Sequence, residues 1–469
     1  AKGILVLAGI QDISSPLTPF ERRASISLAS IYALRMFGLF MILPVLALFS
    51  DSFEGSTPLL IGLAMSIYGL TQALFQIPFG LLSDRFGRKK MIIIGLVLFI
   101  AGSVVAALST TIYGVLLGRA LQGCGAIAAV VMALAADLTQ EVHRTKTMAM
   151  IGASIGLSFA VAMVAGPILA DFAGIQSIFW VTAILAVIAL LLVLYVVPNP
   201  LESKVHPDAE SVPSQFKDVL LNCDLLRLDF GIFILHLVLM ASFIIIPLQL
   251  RATGLAQSLH WQVYLPVLLG SMAIVIPFVI LAEKKHKIKP VFLGAIIALF
   301  VAFIGFVFFY ENLTGIIVFL GLFFCGFNLL EATLPSLISK TAPGDMKGTA
   351  MGVYSTSQFL GAFLGGTLGG WCFGQWGVVS VFIVCLVATA LWLVVAIKMR
   401  TPRYLANLIV SLEGVPSLEQ TELTEGLVTV TGVAEARVYC QDKVAYLKVN
   451  NATLDRNALQ DFLNSNQSV

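Results

Sequence analysis

Charge is what this chain lacks most. Only 12% of its 469 residues are Asp, Glu, Lys or Arg, while 58% are hydrophobic, and a soluble domain carries about 25% charge. A mean hydropathy of +0.96 puts most of the chain in lipid rather than water. The net charge is +2, with no basic tail, so nothing marks a nucleic-acid partner. The six cysteines, at 124, 223, 325, 372, 385 and 440, include no CxxC pair. They read as unpaired small hydrophobes in a reducing setting, neither disulfides nor metal ligands. No phosphate-binding loop is present, which argues against ATP-driven work. The scattered Ser, His and Asp residues share no catalytic motif, so no enzyme and no cofactor are expected.

What is present is a series of long apolar runs. A spanning helix needs about 20 apolar residues, and twelve stretches qualify: 27–50, 58–83, 90–109, 112–137, 146–170, 177–197, 228–252, 260–283, 290–310, 314–340, 346–372 and 377–398. Basic residues fill every second connection. These are Arg22 and Arg23; Arg85, Arg88, Lys89 and Lys90; Arg144 and Lys146; Lys204 and Lys217; Lys284, Lys285, Lys287 and Lys289; Lys340 and Lys347; then Lys398, Arg400 and Arg403. The alternate connections hold Asp51, Glu54, Asp171 and Glu311, with Arg251 as the exception. Short basic loops stay inside, so both termini are expected in the cytoplasm.

The organisation follows. Residues 1–20 are an ill-determined leader; 21–198 and 228–400 are two six-helix halves; 199–227 is a cytoplasmic linker. In the linker Phe216, Val219, Leu220, Cys223 and Leu226 recur at helical spacing. They predict a short amphipathic helix, lying on the inner membrane surface or packed on the helical body. The halves echo each other, RTKTMAMIG at 144–152 against KGTAMGVY at 347–354, an internal repeat of the kind secondary transporters show. The AEKKHKIKP loop keeps an acid and the basic run of its first-half counterpart but not the glycines.

Residues 404–469 differ in character, with eight acids against four Lys or Arg. Alternating patterns at NLIVSL, ARVYC and VAYLKV and helical ones near 417–427 and 455–464 give strand, helix, strand, strand, helix. The fold expected is a small α+β ferredoxin-like domain. It resembles heavy-metal-associated domains in outline. The EGVPS loop at 413–417 carries no cysteine, and Cys440 alone cannot hold a soft metal, so no metal is expected.

The densest motif is GLLSDRFGRKKM, residues 80–91, which sets one acid, four cations and two glycines between two apolar runs. Asp84 can pair with Arg85 or Arg88, and Gly80 and Gly87 permit close approach and a tight turn. The stretch is similar to the signature between the second and third helices of the major facilitator superfamily, through Gly80, Leu82, Asp84, Arg85, Gly87, Arg88 and Lys89. The resemblance implies a secondary transporter with two pseudo-symmetric halves and a latch in this loop. Asp84 would meet the start of the eleventh span and Arg88 would meet Asp137.

LLGRALQGCGAIAAV, residues 116–130, resembles the family's fourth-helix signature at Arg119, Gln122, Gly123 and Gly125. An arginine inside a span is a functional candidate by default, and the resemblance links Arg119 to proton coupling. The alternative is a structural arginine that caps carbonyls of a broken helix. AVAMVAGPILAD, residues 160–171, resembles the antiporter signature at Gly166 and Pro167, and the eleventh span repeats small residues at Gly361, Gly365, Gly366, Gly369 and Gly370. Such stripes let helices pack closely.

Few further ionisable side chains fall inside spans; Arg35, His236 and Glu331 stand out and, with Arg119, are the candidates for proton coupling. Glu331 is the first candidate to carry a proton and His236 the second, with a plain carbonyl-bound histidine as its alternative. Asn328 lies one turn before Glu331. Gln72, Phe75, Gln76, Tyr354 and Gln358 suggest an apolar cavity with a few polar handles. The first span has no acid where many drug antiporters of this family have one. The whole resembles the drug:proton antiporter group, a proton-driven exporter of a small drug-like or amphiphilic compound. A proton symporter and a membrane sensor whose C-terminal domain binds a ligand or regulator are the alternatives.

Overall fold

The computed structural model describes residues 16–199, 211–284, 287–343, 346–399, 406–412, 420–439, 444–450 and 453–465. Most of the leader, Lys204, Lys285, Arg400, Arg403, the EGVPS loop and Cys440 lie outside them. Helices make up most of the described residues up to 399. They are α1 (Pro19–Phe40), α2 (Pro58–Phe86), α3 (Arg88–Leu108), α4 (Ile112–Cys124), α5 (Ala128–Asp137), α6 (Glu141–Ala173) and α7 (Ile175–Tyr195). After the linker come α8 (Phe216–Leu221), α9 (Cys223–Ala252), α10 (Trp261–Lys284), α11 (Ile288–Phe309), α12 (Leu313–Thr341), α13 (Lys347–Trp376) and α14 (Val378–Ile397). Among the described residues ten helical segments are long and apolar enough to cross a membrane, α4 and α5 counting as one; α1 and α13 fall outside that set.

Local chemistry explains the boundaries that differ from expectation. The first helix starts at Pro19 rather than 27 and ends at Phe40 rather than 50. Thr18 and Glu21 form a reciprocal capping box, which satisfies the first free amides. Pro44 has no amide hydrogen and biases Leu43 away from helix, so the chain turns and resumes as a 3-10 segment, Leu46–Ser52. The amphipathic linker helix is also shorter than expected. Asn222 accepts from the amides of Asp224 and Leu225 and starts α9, so Cys223 and Leu226 belong to that helix. The linker packs on the body rather than standing apart: the Val212 amide donates to Thr349 Oγ1 (2.9 Å), Thr349 Oγ1 donates to Gln215 (2.8 Å), and Val219 is buried.

The fourth apolar run breaks at Gly125 into α4 and α5, whereas its second-half counterpart, α12, runs unbroken for 29 residues. Gly87, at φ +98°, ends α2 and starts α3, a conformation that glycine adopts at little cost.

The eleventh apolar run, α13, is gripped on two sides. Gly361, Gly365 and Gly369 sit against the backbone of α9 at Phe233, Leu237 and Ala241. Gly366 and Gly370 face Gly62 and Pro58 of α2 in the other half. Residues four apart share a helix face, so the two glycine rows form adjacent ridges and a side chain on either would strike backbone. Ser66 and Thr367 place their hydroxyls 3.4 Å apart across this seam.

The C-terminal segment forms a three-stranded antiparallel sheet in the order β1-β3-β2 (β1 Ala406–Ser411, β2 Val433–Tyr439, β3 Val444–Val449) with α15 (Gln420–Thr429) and α16 (Arg456–Ser465). Its own core includes Val410, Leu423, Leu427, Val438, Leu447 and Leu459. Lys448 Nζ donates to the Lys340 carbonyl at the end of α12 (3.2 Å).

Candidate functional site

Between α9, α12 and α13 three polar side chains converge within apolar surroundings. Gln358 of α13 stands at the centre. Its Nε2 lies 2.9 Å from His236 Nε2 and 3.3 Å from Glu331 Oε1. A carboxamide nitrogen carries two hydrogens, so Gln358 donates one to the imidazole and one to the carboxylate. His236 Nε2 is then an acceptor, and the neutral ring carries its proton on Nδ1. The far carboxylate oxygen, Glu331 Oε2, has no hydrogen-bond partner and lies 4.0 Å from His236 Nε2. The Glu331 side chain is 39% exposed and that of His236 14%, but the Oε2 atom itself is buried. Phe327 tilts against the imidazole (5.9 Å between centroids) and stacks with Phe159 of α6 in the other half (6.3 Å). An aromatic wall from both halves thus borders the titratable pair.

One member of this region was not among the candidates read from sequence. Asp229 of α9 is 4% exposed, and neither carboxylate oxygen has a hydrogen-bond partner. It lies seven residues before His236, two turns along one face of the helix. Tyr354, whose hydroxyl is likewise buried without a partner, is within electrostatic range of both Asp229 and Glu331. The signal was available, because Asp229 falls inside the 228–252 apolar run.

The first half holds a different kind of polar centre. Arg35 is fully buried and donates from its NH2 nitrogen to the Gly125 carbonyl (2.8 Å) and to Gln72 Oε1 (2.9 Å). It therefore serves the carbonyl exposed by the α4–α5 break, the structural task that sequence reading had offered as an alternative for Arg119. Arg119 binds the Ala64 and Met65 carbonyls of α2 (3.2 Å each) and Gln122 (2.7 Å), and Gln122 reaches Ser103. Both guanidiniums flank the Tyr68 ring, at 6.0 and 5.3 Å. Among the described residues neither arginine pairs with a carboxylate. Gln72 and Gln76, expected on a cavity wall, are buried in this network, because Arg35 needs their acceptor chain. Tyr354 is buried too, whereas Phe75 is exposed. Asn328 points elsewhere than Glu331: its Nδ2 donates to Ser271 of α10 (3.0 Å).

At the loop end, Arg88 is the hub. It pairs with Asp84, binds Asp137 Oδ2 (3.2 Å) and donates to Ser83 Oγ (2.7 Å). The Arg88 and Asp137 side chains are buried, and Asp84 is partly exposed. Arg85 is exposed beside them, and Gly80 brings α2 to within 3.4 Å of Ala129 on α5, measured to a Cβ built on the glycine. Asp84 pairs inside its own half. Gly166, beside the in-helix Pro167, rests on the Met41 carbonyl at the end of the first helix.

A second buried pair was also unread in the sequence. Glu21 takes His143 Nδ1 at 2.9 and 3.0 Å, the Gln140 amide (2.9 Å), and the Thr18 amide and hydroxyl. Burial would raise the Glu21 carboxyl, and these donors outweigh it, holding the group at about 2 instead of 4.5. A depressed carboxylate stabilises the fold above its unfolded value and loses that contribution as pH falls through the folded one. Glu21→Gln is therefore expected to lower the apparent Tm of purified protein at pH 7, with the gap to native closing from pH 4.5 toward 2. A gap that stays constant over that range would contradict the assignment.

Two packed sets of long apolar helices, a glycine seam between them and a titratable pair against an aromatic wall define a helical membrane transporter. Comparison with known proteins specifies it: residues 28–366 and again 228–417 match the Major Facilitator Superfamily, and the chain belongs to that family. It is 46% identical over 440 residues to the inner membrane transport protein YajR of Escherichia coli K12, spanning 94% of this chain and 97% of that protein. Multidrug resistance protein 2 of Bacillus subtilis is 28% identical over 356 residues, 71% of this chain and 84% of that one. Among solved structures, a bacterial homologue of the human lysosomal transporter Spinster superimposes with a TM-score of 0.66 at 14% identity, over 82% of this chain and 98% of the other. That likeness speaks to the fold. Members of this family are transporters and not enzymes.

Proposed function

We propose that this protein is a proton-coupled antiporter that expels a small lipophilic or amphiphilic compound from the cytoplasm. The observation that carries the reading is the Glu331–Gln358–His236 group against Phe327 and Phe159. The buried, unpartnered Oε2 can take a proton while Oε1 keeps its Gln358 bond. The aromatic wall offers an apolar substrate a surface, and Glu331 offers a cationic one a counter-charge. Proton and substrate then compete for one acid, the minimal requirement for exchange. Asp229 and Tyr354 extend the polar track toward the loop end of α9.

In this reading α1 and α13 complete twelve spans, the basic loops and both termini face the cytoplasm, and the protein lies in the bacterial inner membrane, as the YajR relative does by name. Arg88, Asp84 and Asp137 stabilise the loop end as a latch, and the Gly166–Pro167 and α13 glycine packing seals the path. Arg119 and Arg35 are fixed charges that hold the first half rigid. The sheet and two helices at the C-terminus are a ferredoxin-like domain that receives a regulator.

The test is proton release from protein in liposomes while a panel of lipophilic cations, sugars and small anions is added. A compound that drives release supports antiport. Binding of several compounds with no release by any would overturn it. Alternating access also requires the α2–α13 seam to part. Ser66→Cys with Thr367→Cys is therefore expected to form an oxidative cross-link that stops flux, and reduction is expected to restore it. Flux that continues in the cross-linked protein would count against a moving seam.

A further inference from the structure

A groove of about 290 Å³ runs between the start of α1 and the end of α7. Its mouth carries Arg22 and Arg23, and its walls include Ile26, Ser30, Leu192 and Val196. Arg23 Nε is anchored on the Val196 carbonyl (3.1 Å), which leaves its two terminal nitrogens for another partner. The Arg22 side chain makes no hydrogen bond or ion pair among the described residues and is exposed. The groove opens onto a stripe of α7 made by Ile184, Ile188, Leu191 and Tyr195, all exposed in the isolated chain. Positions 184, 188, 191 and 195 share one face of a helix, and an apolar face of that length on a membrane helix meets lipid. Tyr195 and Phe20, both exposed, lie level with the arginines, as aromatic side chains do at a headgroup boundary. Two guanidiniums therefore sit at headgroup height above an apolar channel, the charge pattern of an amphiphile with an anionic head.

We propose that this groove binds one anionic phospholipid, with its phosphate between Arg22 and Arg23 and an acyl chain along the α7 stripe. Arginine presents a fork of donors that matches phosphate oxygens, and Ile26 and Leu192 receive the first methylenes. The site is separate from the Glu331 region and does not depend on the transport reading.

Native mass spectrometry of the purified full chain, titrated with phosphatidylglycerol or with phosphatidylcholine of the same chain length, tests it. Phosphatidylglycerol adducts should exceed phosphatidylcholine adducts and fall about twenty-five-fold in the Arg22→Ala/Arg23→Ala double variant, since each basic residue near a membrane surface contributes about a fivefold factor in binding. Ile26→Trp keeps both charges but fills the groove, and should also lose the adduct. Retention by both variants, or equal binding of the two lipids, would overturn the proposal. Displacement of the lipid by millimolar inorganic phosphate or glycerol phosphate would overturn it in favour of a free-phosphate site.

Discussion

Glu331→Gln is expected to reduce substrate-driven proton release to background while substrate still binds. Glutamine has nearly the same shape and can still accept from Gln358 through its carbonyl, so the site keeps its geometry and loses only the ability to exchange a proton. The same swap removes the counter-charge, so lipophilic cations should bind more weakly and neutral compounds about as before. Proton release and binding, measured on one preparation, separate the two effects. If release persists in the variant, the proton resides on His236 or Asp229, and Asp229→Asn and His236→Gln decide between them. If the variant abolishes binding of neutral compounds too, Glu331 is a structural member of the pocket and the exchange mechanism fails.

Arg88→Ala should cause the largest loss of stability. Its guanidinium serves Asp137, Ser83 and Asp84 from a buried position, and removing one member of a buried ion pair costs about 3–5 kcal/mol, because the remaining charge keeps its desolvation penalty. At about 2–4 °C per kcal/mol for a unit the size of one half, the apparent Tm should drop by roughly 6–20 °C. Arg88→Lys should recover only part, since one ammonium cannot reach three acceptors as the planar fork does. Arg88→Ala combined with Asp137→Asn should be less destabilised than the sum of the single variants. A thermal midpoint for Arg88→Ala equal to native would show that this hub does not hold the loop end together.

Much of this was legible from residue chemistry alone. A lone carboxylate and a lone histidine in apolar runs cannot hide, so Glu331 and His236 stood out before any helix was placed. The Asp84–Gly87–Arg88 loop was equally plain, because it crowds an acid and four cations into a chain with only 12% charged residues. Contacts between distant residues were mostly not legible, the Arg88–Asp137 pair being one that was. Arg35 reaches Gly125 across 90 positions, and nothing in either segment alone says that the broken fourth run needs that donor. Gln72 and Gln76 look like cavity handles by composition, and only the position of Arg35 turns them inward. Asp229 was overlooked for a simpler reason: it sits at the edge of its run beside Arg227, where an acid passes for an ordinary helix-end residue. The early start of α1 follows from Thr18 and Glu21, a capping pair that is visible in the sequence yet outweighed there by the apolar run that continues past Pro44.

The glycine ridges of α13 determine what must fill the space when the halves part. A seam of larger side chains would separate with apolar groups still covering each helix. Here Gly366 and Gly370 face Gly62 and Pro58, so separation uncovers strips of peptide backbone with almost nothing over them. The backbone groups of both strips are bonded within their own helices, so they make no polar demand on whatever enters the gap. What parting costs is the close glycine-to-backbone packing itself, and no side chain on these ridges swings in to replace it.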